Sequence, residues 1–352
     1  MAYTTIDDPS AYFQTTLYTG DGSTDLAITN SGNSDLQPDM VWIKNRDQAD
    51  WHHITDVVRG VNKVVYPNDD NAEDTAVNYV KALNSDGFTI GASGHDVNAN
   101  AEKYAAWQWK AGTALNNSAG ANGGSIATTG SINTTSGFGI VKHEGSGANA
   151  TIYHGLRKIP RMIITKNIDQ TFHWSVYTFH SNTKILRLNG TNAEATETAF
   201  QSTHPTATVQ SLGDHNQNNG ATDGSADTHI SYMFCDVPGY QKINSYIGNG
   251  NADGTFVYTG FKPAFVMIKA SAAVKNWEMF DNKREGFNQS NDTIYANAAD
   301  AEGAAGRCNL LSNGFKLTTG STHLNASGGT FIYLAIAENP FVTSTGVPAT
   351  AR

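Results

Sequence analysis

Charged side chains are scarce in this chain: 16% of its 352 residues are Asp, Glu, Lys or Arg, with 32 acids against 23 bases. A formal charge of -9 without a Lys/Arg cluster repels phosphate backbones, so nucleic acid is not an expected partner. Cysteine is almost absent. Cys235 and Cys308 are too few for a disulfide framework, and each stands among apolar neighbours as a buried thiol does. A bridge between them is geometrically possible, but nothing in the sequence calls for it. The longest apolar run, Phe331 to Ala337, is far too short to span a bilayer as a helix. The polar, acidic opening Met1 to Ser10 reads as neither anchor nor secretion signal.

Chemical signatures are equally thin. No HExxH, CxxC or GxSxG phrase occurs, and these carry the usual zinc and nucleophile arrangements. His52 and His53 point to opposite faces if they lie on a strand, and the other histidines are scattered. A glycosidase needs two carboxylates facing each other across a sugar, and the sequence singles out no pair. The reading is therefore non-enzymatic, with no catalytic, cofactor-binding or metal-ligating residue named and no cofactor expected.

What the chain has is glycine, 34 of them, among abundant Asn, Ser, Thr and Ala. This is strand-and-turn composition, poor in helix formers. Phe261 to Lys269, Phe-Lys-Pro-Ala-Phe-Val-Met-Ile-Lys, organises the rest, because Leu36 to Lys44 and Ile159 to Lys166 repeat it. In each copy a proline (Pro38, Pro160, Pro263) precedes a lysine (Lys44, Lys166, Lys269) by six residues. The apolar run between them has no polar face, as in a central strand buried on both sides. Trp51, Trp174 and Trp277 follow those lysines at offsets of seven, eight and eight. Ser85-Asp-Gly-Phe-Thr-Ile90 returns as Ser312-Asn-Gly-Phe-Lys-Leu317, a turn signal flanked by strand residues; the second copy has drifted to Val209 to Leu212. Each unit closes on an alternating strand: Ala105, Trp107 and Trp109; Ile230, Tyr232 and Phe234; Ile332, Leu334 and Ile336.

The spacing from each proline to its closing strand is nearly constant, 69, 72 and 71 residues for Pro38 to Trp107, Pro160 to Tyr232 and Pro263 to Leu334. The gaps between units differ, and the excess falls in a tract of Gly, Ala, Ser, Asn and Thr that reads as a flexible or strand-hugging connector. The expected organisation is all-β: three tandem β-sandwich-like repeats, jelly-roll or concanavalin-like, at residues 1–112, 136–237 and 238–352, with a linker at 113–135. Val237-Pro-Gly-Tyr240 joins the last two tightly. Asp74 to Leu83 is the one weak helical candidate. Phe341 to Arg352 is a small, polar tail, docked or frayed.

With these repeats laid out, the sequence resembles a repeat family of virion proteins from tailed bacteriophages, especially marine ones. The phrases that carry the resemblance include Tyr18-Thr-Gly-Asp-Gly, Gln37 to Arg46, Asn84 to Phe88, Asp96-Val-Asn-Ala-Asn100, Trp107-Gln-Trp-Lys110, Asn149 to Leu156, Val237 to Tyr240 and Gly250 to Phe261. The resemblance implies a structural protein of the virion, on the tail or capsid exterior, partnered by other virion proteins and by copies of itself, with no catalytic residues to carry over. The leading expectation is a tail-fibre or appendage component whose loops attach to a host-surface glycan or protein. A capsid decoration or tail-junction subunit is the second reading, and a glycan depolymerase the third.

Two kinds of site are weighed on that basis. Trp51, Trp174 and Trp277 offer aromatic faces to sugar rings, but their recurrence favours core packing; the loop aromatics Tyr66, Tyr79 and Tyr295 are equally eligible for glycan. For calcium, Asn249 to Gly254 spaces its oxygens like the front of an EF-hand but has Gly260 at the twelfth position, so a plain turn is expected. The acidic loop Asn68 to Asp74 reads as solvated.

Overall fold

The computed structural model describes residues 3–222, 224–284, 288 and 290–348. Nearly all of its regular structure is antiparallel strand, as the glycine- and amide-rich composition predicts. Twelve strands carry the architecture: β1 (Phe13–Thr19), β2 (Met40–Asn45), β3 (His53–Asp56), β4 (Lys103–Trp109), β5 (Phe138–Glu144), β6 (Pro160–Asn167), β7 (Ser175–Thr178), β8 (Thr228–Cys235), β9 (Gln241–Ile247), β10 (Phe261–Ala270), β11 (Trp277–Asp281) and β12 (Thr330–Pro340).

One strand order occurs in three places: β1-β4-β2-β3, β5-β8-β6-β7 and β9-β12-β10-β11. Each proline-to-lysine phrase is the third strand of its group, hydrogen-bonded on both sides. That is why it has no polar face. Met40 and Trp42 of β2 point one way, while Val41 and Ile43 point the other into a smaller cluster with Ile28, Phe88 and Ile90. The outer layer there is the ribbon Leu26–Ile28, Gly87–Ile90 and Val80–Asn84. Its counterpart in the second group is Ala150–Tyr153 paired with Val209–Leu212.

The inner faces do not close separate cores. Trp42 and Trp107, Ile164, Trp174 and Tyr232, Met267, Trp277 and Leu334 belong to one continuous cluster. Where the three sheets meet, only about 10 Å³ is left between Met40, Trp42, Ile164, Tyr232, Phe265 and Met267, barely the space of one water. The alternation read in the closing strands is accurate: Trp107, Tyr232 and Leu334 all face this core.

Polar bonds cross between the groups in a cycle. Trp174 Nε1 donates to the Tyr66 carbonyl at 2.9 Å, and Trp277 Nε1 to that of Arg187 at 2.8 Å. By strand register the corresponding residue of the first group is His52, not Trp51, since Asp56, Thr178 and Asp281 hold the same place opposite Met40, Met162 and Phe265. His52 is buried, accepts Trp42 Nε1 at 2.9 Å and lies beside the backbone of Tyr295 and Ala298. The core role expected of the tryptophans holds for Trp174 and Trp277; Trp51 is 38% exposed, one residue out of register. A second set of bonds runs from Tyr232 OH to Asp56 Oδ2 at 2.7 Å and from Trp107 Nε1 to Asp281 Oδ2 at 3.1 Å. Arg59 and Arg284 neutralise those two aspartates at 2.6 Å. The third place has Leu334 and Thr178, so donor and acceptor have gone together.

Three buried asparagines clamp the turn that follows the first strand of each group. Asn98 Oδ1 accepts Asp21 N while its Nδ2 donates to Ser23 O; Asn219 does the same for Ser146 N and Ala148 O, and Asn325 for Asn249 N and Asn251 O. Glycine is needed at Gly20, Gly145 and Gly248, where a Cβ would lie 2.1–2.3 Å from a facing carbonyl oxygen.

Two expectations meet a different outcome. The tract 113–135 is not a free linker: Thr113–Asn117 pairs with Thr128–Asn133, which pairs with β5 and extends the second sheet. Leu115 and Ile132 fasten it to the outer core, and Gly130 lets the Ile140 carbonyl come close. Asp74 to Leu83 is not helical; it holds Asp74–Thr75, paired with Lys63–Val64, and the start of Val80–Asn84. Of the polar tail, 349–352 lie outside the described residues. Ser344 N donates to Asp7 Oδ1 at 2.6 Å, so the two ends of the described chain lie together.

Candidate functional site

The repeated lysines are the first candidates, because buried amines with lowered pKa often do chemistry. Lys44, Lys166 and Lys269 are all fully buried. Burial brings each to about 8. Each donates to the carbonyls one and four residues on: Asn45 and Gln48, Asn167 and Gln170, Ala270 and Ala273, at 2.5–3.2 Å. The ammonium ties off the turn after the central strand, which accounts for its recurrence without any ligand.

The second candidate is built at the outer end of β3. His53 faces away from His52, as alternation requires. Its Nε2 lies 3.5 Å from Asp96 Oδ1, and its ring meets Tyr66 at 5.5 Å and Tyr79 at 4.9 Å. Trp51 packs edge-on against Tyr66 at 4.9 Å, and Tyr66 OH donates to Asp74 Oδ2 at 3.2 Å. Burial lifts both phenols well above their ordinary range, and the acids Asp74 and Asp96 add to it. Burial also works against the Asp96 carboxylate, but hydrogen bonds from His53 and Tyr79 outweigh it and hold the pKa low. His53 Nδ1 is buried without a hydrogen-bond partner among the described residues, so no hydroxyl or thiol of those residues stands where a nucleophilic site places one. The result is an aromatic face with a half-exposed indole, rimmed by carboxylates that accept hydrogen bonds.

The same place in the third group holds Glu278, Tyr295, Arg307 and His323. Glu278 pairs with Arg307 at 2.6 Å and stands 3.6 Å from His323. Relative to His53 and Asp96, the acid and the imidazole have exchanged places, Glu278 standing on the strand and His323 on the loop. Tyr66 and Tyr295, named from sequence as loop aromatics, are thus counterparts. Tyr79 joins Tyr66, whereas Tyr295 stands apart beside Glu278. Sequence reading missed the histidine–acid pairs and the asparagine clamps, since one residue in each pair or clamp lies on a loop tens of positions from the other.

The acid-rich loops do not converge on a cation. Asp69 caps Asn71 N, Glu73 pairs with Arg59 and Lys63, and Asp70 faces His173. In the 249–254 loop, Asn249 Oδ1 takes Asn251 N and Asn325 Nδ2, while Asp253 pairs with Lys316. Among the described residues no group of three His, Cys, Asp or Glu is placed to hold a metal. Both cysteines are free and buried, and burial pushes the Cys235 thiol up to about 12.

A family model described as Domain of unknown function (DUF7483) matches residues 8–340. The chain belongs to that family. No curated protein matches it.

Proposed function

For this DUF7483 member we propose a structural role in a bacteriophage virion, as a tail-fibre or appendage component that attaches to host-surface glycan through the Trp51 face. The observation that carries the reading is Trp51 itself: 38% exposed, where its register neighbour His52 is wholly buried, and packed edge-on against Tyr66, whose hydroxyl is held by the Asp74 carboxylate. An indole face takes the apolar face of a sugar, and carboxylates take its hydroxyls. The lysines and the Asp56–Arg59 and Asp281–Arg284 pairs are engaged in holding the sheets together, which leaves the loops for display. The resemblance of the repeated phrases to those of tailed-phage virion proteins is what suggests the setting.

Trp51→Ala tests the face. Binding of the purified protein to host-surface polysaccharide is expected to fall at least about tenfold, with folding free energy changed by less than about 0.5 kcal/mol. Undiminished binding removes the face from the reading. Imaging of the particle tests the setting: loops turned outward at an appendage tip support attachment, and the chain lying over capsid subunits with Trp51 covered assigns it to decoration.

A further inference from the structure

Comparison of the three seams between groups exposes a second site. After each fourth strand a backbone N–H returns to the strand beside it: Val57 to Asp39, Phe179 to Arg161 and Asn282 to Ala264, at 2.8, 2.8 and 3.0 Å. These three pairs therefore occupy one position of the fold. At Phe179 the seam is filled: the Arg161 guanidinium lies 3.9 Å over the ring, and its Nε reaches the Ile243 carbonyl at 3.0 Å. At Asn282 the arginine is replaced by Ala264 and the phenylalanine by the amide. A groove of about 310 Å³ opens there between the first and third groups.

We propose that this groove is a binding site for one unit of a neutral saccharide, separate from the Trp51 face. Its size is at the lower end of small-molecule sites. Its walls carry Asn33, Asn282 and Asn339, whose side chains make no hydrogen bond among the described residues, and a carboxamide offers a donor and an acceptor to a hydroxyl that is itself both. Thr15 also lines the groove and is 5% exposed, its Oγ1 turned away from water and without a partner among the described residues. Asp8, Lys283 and Glu338 are its ionisable residues; Glu338 is already paired with Lys262 at 2.8 Å, which leaves Asp8, bonded to Ser10 and Ser34, and Lys283 as one charge of each sign. That balance favours a neutral polyol over a phosphate or a cation.

Saturation-transfer NMR on the whole chain with glucose, galactose and N-acetylglucosamine, each at millimolar concentration, tests this. Transfer to at least one sugar is expected, and it should fall at least about tenfold in the double variant Ala264→Arg/Asn282→Phe, which copies the filled seam. Trp51→Ala should leave it in place. If the double variant melts early by circular dichroism, Asn339→Ala with Asn33→Ala replaces it as the test of the wall amides. No transfer to any of the three sugars overturns the proposal, as does transfer that survives filling the groove or disappears in Trp51→Ala. That last outcome would leave the Trp51 reading standing alone.

Discussion

Asn98, Asn219 and Asn325 show how much of this fold rests on single polar side chains. Each is fully buried and bridges two loops through both ends of its amide. Asn325→Ala strands Asn249 N and the Asn251 and Thr319 carbonyls, so a loss of about 2–4 kcal/mol is expected in urea unfolding. Asn325→Asp should recover only the contacts made through Oδ1. The histidines give the molecule an acid limit. Burial depresses His143 to about 3 and His154 and His229 to about 4, and holds His52 well below its ordinary value. In the unfolded chain all four take up protons as the pH drops through about 6.5. The unfolded state therefore binds more protons between roughly pH 6.5 and 4, and stability falls with pH across that window. Each histidine contributes up to about 1.4 kcal/mol per pH unit. The melting temperature should drop steeply below pH 6, and replacing His143 and His229 together by Gln should flatten the slope.

At the scale of elements, much was legible in the sequence because period-two alternation and glycine turns are local. The central strands, the closing strands and the Gly-Phe turns at Gly87 and Gly314 all lie where the pattern puts them. Of the two readings of the 113–135 tract, flexible or strand-hugging, the pairing favours the second; composition does not separate them because a strand added to a sheet edge is held by backbone bonds, which small residues serve well, and only Leu115 and Ile132 mark its inner face. Matching tryptophans by type rather than by count misaligns Trp51: His52 is the eighth residue after Lys44, as Trp174 and Trp277 are after Lys166 and Lys269. The seams were invisible, since they join residues more than 80 positions apart. Arg284→Met tests one of them. It leaves Asp281 buried without its cation, while the bond from Trp107 remains, and a loss of about 3–5 kcal/mol is expected. The joint variant Asp281→Thr with Trp107→Leu, which copies the apolar third seam, should cost less than the sum of its two single changes in a double-mutant cycle.

For the whole molecule, the shared core means that no group can open its inner face without exposing the other two. Calorimetry should show one transition, with calorimetric and van't Hoff enthalpies equal; three resolved transitions would instead make the groups independent. The meeting of Asp7 with Ser344 has a further bearing on how the chain can be rewired. Since covalent order matters less than which strands lie side by side, the backbone can be joined across that junction and cut anew at the exposed tip of the 113–133 hairpin, around Ser118–Gly120. The permuted chain would keep every strand partner, while its free ends would leave from a different face of the molecule.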